Sequence, residues 1–159
     1  MRFMQKGTTE FHFVPVIAST ALVPTTAEVG AGEDLTPELA EINGFNFANS
    51  PIATPDMKNT FTSSIPGEDT AETSSLTFYE HKAPATNPIK TALAKGTAGN
   101  VVIFFGGIAG ATPAIADVCD VWPIEVASNT RAYNAGNEAS KYMVTFAMTA
   151  TPGFDKVLT

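Results

Sequence analysis

Tyr142, Val144, Phe146 and Met148 alternate strictly with Met143, Thr145, Ala147 and Thr149. Successive side chains of a strand point to opposite faces, so this pattern specifies a β-strand with one face buried. Similar short runs fill much of the chain. Residues 75–80 alternate, with Leu76 and Phe78 opposed to Ser75, Thr77 and Tyr79. Residues 101–105 are a continuous apolar run closed by Gly106 and Gly107, and read as a strand. Residues 11–17 read as a first strand broken at Pro15, and residues 24–29 as a short strand ending at Gly30. Residues 117–127 read as another, in which Pro123 implies an edge or a bulge. The 21 threonines agree with a strand-rich chain.

One helix is expected. Asn87 caps it, Pro88 occupies its first position, Ile89, Ala92 and Leu93 repeat at helical spacing, and Gly96 follows Lys95 at its end. Residues 36–42 read equally as a short helix or an edge strand. No repeat or linker divides the 159 residues, so residues 1–159 read as a single domain. The expected class is mainly β, a β-sandwich or part of a β-barrel, with one flanking α-helix.

Charge narrows the function. Only 16% of residues are charged against 44% apolar, and the mean hydropathy is +0.07. A surface this poor in charge points to self-association. The net charge of −7 argues against a protein that grips nucleic acid, which needs a basic patch. The asymmetry is local: between Glu28 and Glu80 stand ten acids and one base, Lys58. No apolar run reaches the length of a membrane span, and no signal peptide is read at the N-terminus, so a cytoplasmic origin is expected.

Nothing in the chain asks for catalysis. His12 and His81 lie outside any nucleophile motif. Cys119 has no partner for a disulfide or a metal cluster and reads as a small apolar side chain. Residues 67–72, which hold Glu68, Asp69 and Glu72, lack the oxygen spacing of a calcium loop and read as a turn. The glycines at 106, 107 and 110 lack phosphate-loop spacing and read as a hairpin loop. No cofactor and no metal are expected. A β-sandwich binding module, such as a capsid decoration or carbohydrate-binding domain, is the alternative to a structural protein.

The order of short motifs adds to this reading. Pro24-Thr25-Thr26-Ala27-Glu28-Val29 precedes Ile42-Asn43-Gly44-Phe45, then Thr54-Pro55-Asp56-Met57 and Ile65-Pro66-Gly67. Ser74 to Tyr79, Asp120-Val121-Trp122-Pro123-Ile124 and Phe146-Ala147-Met148-Thr149 follow. The set resembles the major tail proteins of long, flexible-tailed bacteriophages, the actinobacteriophage type above all, over nearly the whole chain. That resemblance implies hexameric rings stacked into a tail tube, with inner strands of the six subunits closing one inter-subunit β-barrel. DNA passes through without specific binding. The other partners it implies are tail proteins: tape measure, tail terminator and tail tip. The protein is made in the host cytoplasm and ends in the virion.

Two groups of residues follow as candidates. Residues 44–61 read either as a long loop that orders on assembly, with Phe45, Phe47, Ile52, Pro55, Asp56, Met57 and Phe61 reaching a neighbouring subunit, or as a loop tucked on its own sandwich. Glu68, Asp69, Glu72, Ser75 and Thr77 are the candidates for a lumen lining, which is expected to be net negative; the alternative is that the acids face outward or meet Lys90, Lys95 and Arg131 of the next ring.

Overall fold

The computed structural model describes residues 1–159. In chain order the strands are β1 (Glu10–Val14), β2 (Glu33–Asp34), β3 (Leu39–Asn43), β4 (Phe47–Thr54), β5 (Ser63–Ala71), β6 (Ser74–Tyr79), β7 (Ala98–Phe104), β8 (Val118–Ala132), β9 (Lys141–Met148) and β10 (Gly153–Val157). Two short helices, α1 (Thr26–Gly30) and α2 (Pro88–Ala92), complete it. The main antiparallel sheet runs β2-β1-β7-β8-β9-β6-β3, with β10 added to β8, and β4 and β5 form a separate two-stranded sheet.

The connection from β2 to β3 fixes the shape. These strands lie at opposite edges of the sheet, yet only residues 35–38 separate them, including a 3-10 turn at Thr36–Glu38. Five chain steps of at most ~3.6 Å hold the two edges within about 18 Å. The sheet is therefore curled on itself, and the expected sandwich is realised as one nearly closed sheet. Its inner side holds the larger core, where Phe13, Phe78, Trp122 and Phe146 meet Ile89 of α2 and the adjoining Leu93. On the outer side of β1, β7 and β8 a second core of Val14, Val102, Phe104, Cys119 and Val121 is covered by Val29 of α1 and by Leu158. Strands buried on both faces account for the continuous apolar run of β7. Each such fully buried side chain contributes roughly 1.5–3 kcal/mol.

Four local expectations change. Residues 24–29 are not a strand. Thr25 Oγ1 accepts from the Glu28 backbone N–H at 3.2 Å and Glu28 Oε2 accepts from the Thr25 N–H at 2.8 Å, a capping box that starts α1. The hydrogen bond from the Ala18 N–H, then that from Thr25, holds the Glu28 carboxyl below its usual range. The helix after Asn87 ends at Ala92 rather than Lys95, because Leu93 turns into the core and the Gly96 N–H donates to Val126 O at 2.8 Å. Residues 36–42 are both things at once, a 3-10 turn followed by the edge strand β3.

Pro123, the fourth, sits mid-sheet rather than at an edge or a bulge. Its carbonyl accepts from the Thr149 N–H at 3.1 Å, so its nitrogen also faces that flank. There the partner of β8 changes from β10, paired up to Val121, to β9, paired from Ile124. The missing donor falls in the seam between two ladders. The bulge of β8 lies further on, between Val126 and Ser128.

Candidate assembly surfaces

Residues 47–71 project as an arm. The sequence reading made residues 44–61 a loop and residues 67–72 a turn; both fall largely in the antiparallel β4–β5 hairpin. The cause is side-chain pairing that a composition rich in Pro, Asn and Ser conceals. Ile52 faces Ile65, Thr54 Oγ1 meets Ser63 Oγ at 2.8 Å, and a bulge between them and the root is closed by Asn49. Asn49 Nδ2 donates to Gly67 O at 2.9 Å, and Asn49 Oδ1 accepts from the Gly67 N–H at 3.1 Å. Gly67 is required there, since a Cβ would lie 2.1 Å from Ser50 O.

The root of the arm is pinned. Gly44 and Phe45 both have positive φ, +85° and +57°. The Phe45 N–H donates to Ser74 Oγ at 2.7 Å, and its ring sits edge-on to Trp122 at 5.6 Å and near Phe11 and Phe146, both at 6.3 Å. Phe47 meets Phe154 at 6.1 Å. Phe45 and Phe47 are thus committed to their own subunit. Pro55, Asp56 and Met57 form the tip, where Asp56 Oδ1 accepts from the Lys58 N–H at 2.8 Å. Ile52, Met57 and Phe61 remain exposed, and the structure adds Ile65, which the sequence reading missed. A lone two-stranded hairpin is marginal in water.

The lumen candidates separate. Ser75 and Thr77 lie on the outward face of β6. The registers place Asn43 and Glu41 beside them on β3, Thr145 and Met143 on β9, and Ser128 and Thr130 on β8. This is a hydroxyl-rich face whose Lys141 is paired with Glu41 at 3.3 Å. Glu68 and Asp69 belong to the arm and, as neighbours in one strand, point to its opposite faces, while Glu72 follows at the root. No single wall takes all five.

The same four strands end in open edges. β3 has no partner beyond β6. β7 follows β8 only to Glu125, whereas β9 follows it to Ala132, so residues 128–132 are unpaired on one flank. Ile42 marks the β3 edge. It pairs with Leu76, which is fully buried, yet it is 52% exposed because no further strand pairs with the edge.

Some charges elsewhere are held in ion pairs. Lys90 and Arg131 both bind Glu80 Oε2, Arg131 at 3.0 Å. Burial alone would raise the Glu80 carboxyl, but the hydrogen bonds of Lys90 and Arg131 outweigh it and hold it below the usual range. The buried Tyr142 hydroxyl nearby is pushed up to about 12, chiefly by burial. His12 contacts Glu10 at 3.2 Å and His81 contacts Glu38 at 3.2 Å. Burial first, then Asp120 and Asp117, pushes the Cys119 thiol up to about 12. Cys119 should therefore resist iodoacetamide at pH 8 in the folded protein and react fully in urea; prompt labelling of the native state by mass spectrometry would show it to be accessible.

A family model described as phage tail tube protein matches residues 1–159. The chain belongs to this family. Its role is accordingly a structural one in a phage tail tube. Two solved structures carry the same fold. One is a chain of the anti-feeding prophage baseplate, six-fold symmetrised, at TM-score 0.58 and 9% identity, covering 89% of this chain and 87% of that one. The other is a chain from the tail of an empty GTA particle refined with C6 symmetry, at TM-score 0.53 and 10% identity, covering 92% and 93%. No curated protein matches the tail tube sequence.

Proposed function

We propose that six copies of this chain close a ring, that rings stack into a tube, and that the tube is the conduit for DNA leaving the capsid. The observation that carries this is the four-stranded unit of β3, β6, β9 and the second half of β8. It has a polar face and two open edges. Open edges invite uncontrolled pairing unless they are covered. Pairing β3 of one copy with residues 128–132 of the next is a head-to-tail contact, and such contacts generate rings when the rotation closes. Two structures of like fold come from particles described with six-fold symmetry, which supports six as the number.

In this ring the hydroxyl face of Ser75, Thr77, Ser128, Thr130 and Thr145 lines the lumen. Among its residues the one cation, Lys141, is already paired, so DNA phosphates find no counter-charge to hold them. Glu41 and Glu125 against Lys141 leave the wall weakly negative. The acids of the arm, Asp56, Glu68 and Asp69, lie apart from it. Further partners are the proteins that fill and cap such a tube: tape measure, terminator and tip. Synthesis in the host cytoplasm precedes assembly into the virion.

Electron microscopy of the purified chain tests the reading. Tubes or six-membered rings are the expected result. A chain that stays monomeric at high concentration, with no rings and no tubes, overturns it.

A further inference from the structure

We propose that Asn43 deamidates spontaneously, its side-chain amide displaced by the backbone nitrogen of Gly44, and that the product unseats the root of the arm. Both events are internal to one subunit and need no neighbour.

The chain has nine asparagines, and only Asn43 precedes a glycine. A glycine nitrogen has no side chain beside it to hinder its approach to the preceding amide, and its backbone turns freely. Elsewhere the following residue is bulkier or, after Asn87, a proline without an N–H. Asn49 and Asn129 also spend their amides on Gly67 O and Leu93 O, at 2.9 and 3.0 Å.

The structure leaves both reacting groups unheld. Asn43 and Gly44 are exposed. The asparagine side chains that hydrogen-bond within the subunit do not include Asn43. The Gly44 N–H has no backbone acceptor. Asn43 is the last residue of β3, an edge strand, and its pair with Ser75 is the last of the ladder. An extended backbone turns the next nitrogen away from Cγ, so attack requires this pair to open. The end of an edge strand opens at little cost. Gly44 is then the joint between a fraying end and the pinned Phe45.

The reaction needs only water and hydroxide. Gly44 N gives up its proton to hydroxide and bonds to Asn43 Cγ. The Cγ–Nδ2 bond breaks, and the amide nitrogen takes a proton from solvent and leaves as ammonia. Water then opens the succinimide. Opening at Cγ leaves an aspartate. Opening at the backbone carbonyl leaves an isoaspartate, in which the chain continues through Cγ and is a carbon longer.

The root of the arm has no room for that carbon. A Cβ on Gly44 would already lie 2.7 Å from Ser74 Oγ and 2.8 Å from Ser74 Cα. The same Ser74 Oγ accepts from the Phe45 N–H at 2.7 Å, and Phe45 holds a φ of +57°. A longer link lifts Phe45 from Ser74, and its ring from Trp122, 5.6 Å away.

Ageing of the purified chain tests both halves. The folded protein is held at pH 8 and at pH 6, digested, and mapped by mass spectrometry with aspartate separated from isoaspartate. The peptide carrying residue 43 should turn acidic ahead of every other asparagine peptide, faster at pH 8, with isoaspartate the larger product. No acid at residue 43 under conditions that convert the guanidinium-unfolded chain would show that the fold locks Asn43, and overturns the site. Amide exchange over residues 47–71 should rise in the aged protein in step with isoaspartate; conversion with unchanged exchange overturns the link to the arm. Asn43→Gln must close a larger ring, so it should keep both its mass and its exchange over the same period. An equal rise of exchange in that variant also counts against the link. Asn43→Asp supplies the charge without the longer backbone, and when freshly made should exchange like the unsubstituted chain. A rise matching that of the aged protein would assign the effect to charge and overturn the backbone account.

Discussion

The Ile42→Lys subunit is expected to fold and to form no tubes. Ile42 lies on the edge strand β3, faces inward beside Leu76, and is half exposed. In the free subunit a lysine there reaches water past the open edge, so the stability change should stay within about 1 kcal/mol. In a closed ring the same position is covered by the next copy. Every interface then buries an unpaired ammonium, at a cost of several kcal/mol each, six times per ring. An inward-pointing charge on an edge is also the device by which soluble sheets avoid edge pairing. Sedimentation and microscopy report assembly, and a circular-dichroism melt reports folding. Ile42→Thr, which keeps β propensity and adds no charge, should weaken assembly without abolishing it. Normal tubes from the lysine variant would show that the β3 edge is not the ring contact.

How far these features were legible in the sequence depends on where the information lies. β6 and β9 were readable because each has one wet and one dry face, which writes a two-residue alternation into the chain. Their inward residues Leu76, Phe78, Tyr142, Val144 and Phe146 are all fully buried. Helix α1 was misread because Val29 and the threonines look strand-like, although the signal was present: Thr25 and Glu28 are three apart, the spacing of a capping box. The arm was misread for a different reason. Its pairing depends on Asn49 bonding Gly67 eighteen residues away, and no local window holds both. Ile42 and Ile65 escaped the list of contact residues because exposure of an apolar side chain is a property of the sheet's edge, not of its neighbours in sequence. The curl of the sheet was hidden similarly, since it follows from β2 and β3 pairing at opposite edges across a four-residue link.

Replacing Trp122 by alanine should produce the largest loss of stability in the subunit. Trp122 is 3% exposed in the larger core and is the chain's one tryptophan. Its ring is edge-on to Phe45 at 5.6 Å and to Phe154 at 5.5 Å, and Phe154 in turn meets Phe47 at 6.1 Å. Trp122 therefore joins central strand β8 to both residues that pin the arm. Truncating a buried aromatic to alanine costs about 3–5 kcal/mol, of which the lost aromatic pairs account for part. A domain of this size is stable by roughly 5–15 kcal/mol, so much of the folded state's margin disappears. At about 2–4 °C per kcal/mol the melting temperature should fall by roughly 6–20 °C. Circular dichroism is the suitable probe, because the substitution removes the tryptophan fluorescence. The consequence reaches the arm: Phe45 holds a left-handed conformation only while its ring is seated against Trp122 and Phe146. Amide exchange across residues 47–71 should rise by more than across β6 and β9 at a temperature where both remain folded. Trp122→Phe, which keeps one ring in place, should cost less than half as much. A loss below about 1 kcal/mol for alanine, or uniform exchange across sheet and arm, would show that the arm is held by its own pairing rather than by this aromatic chain.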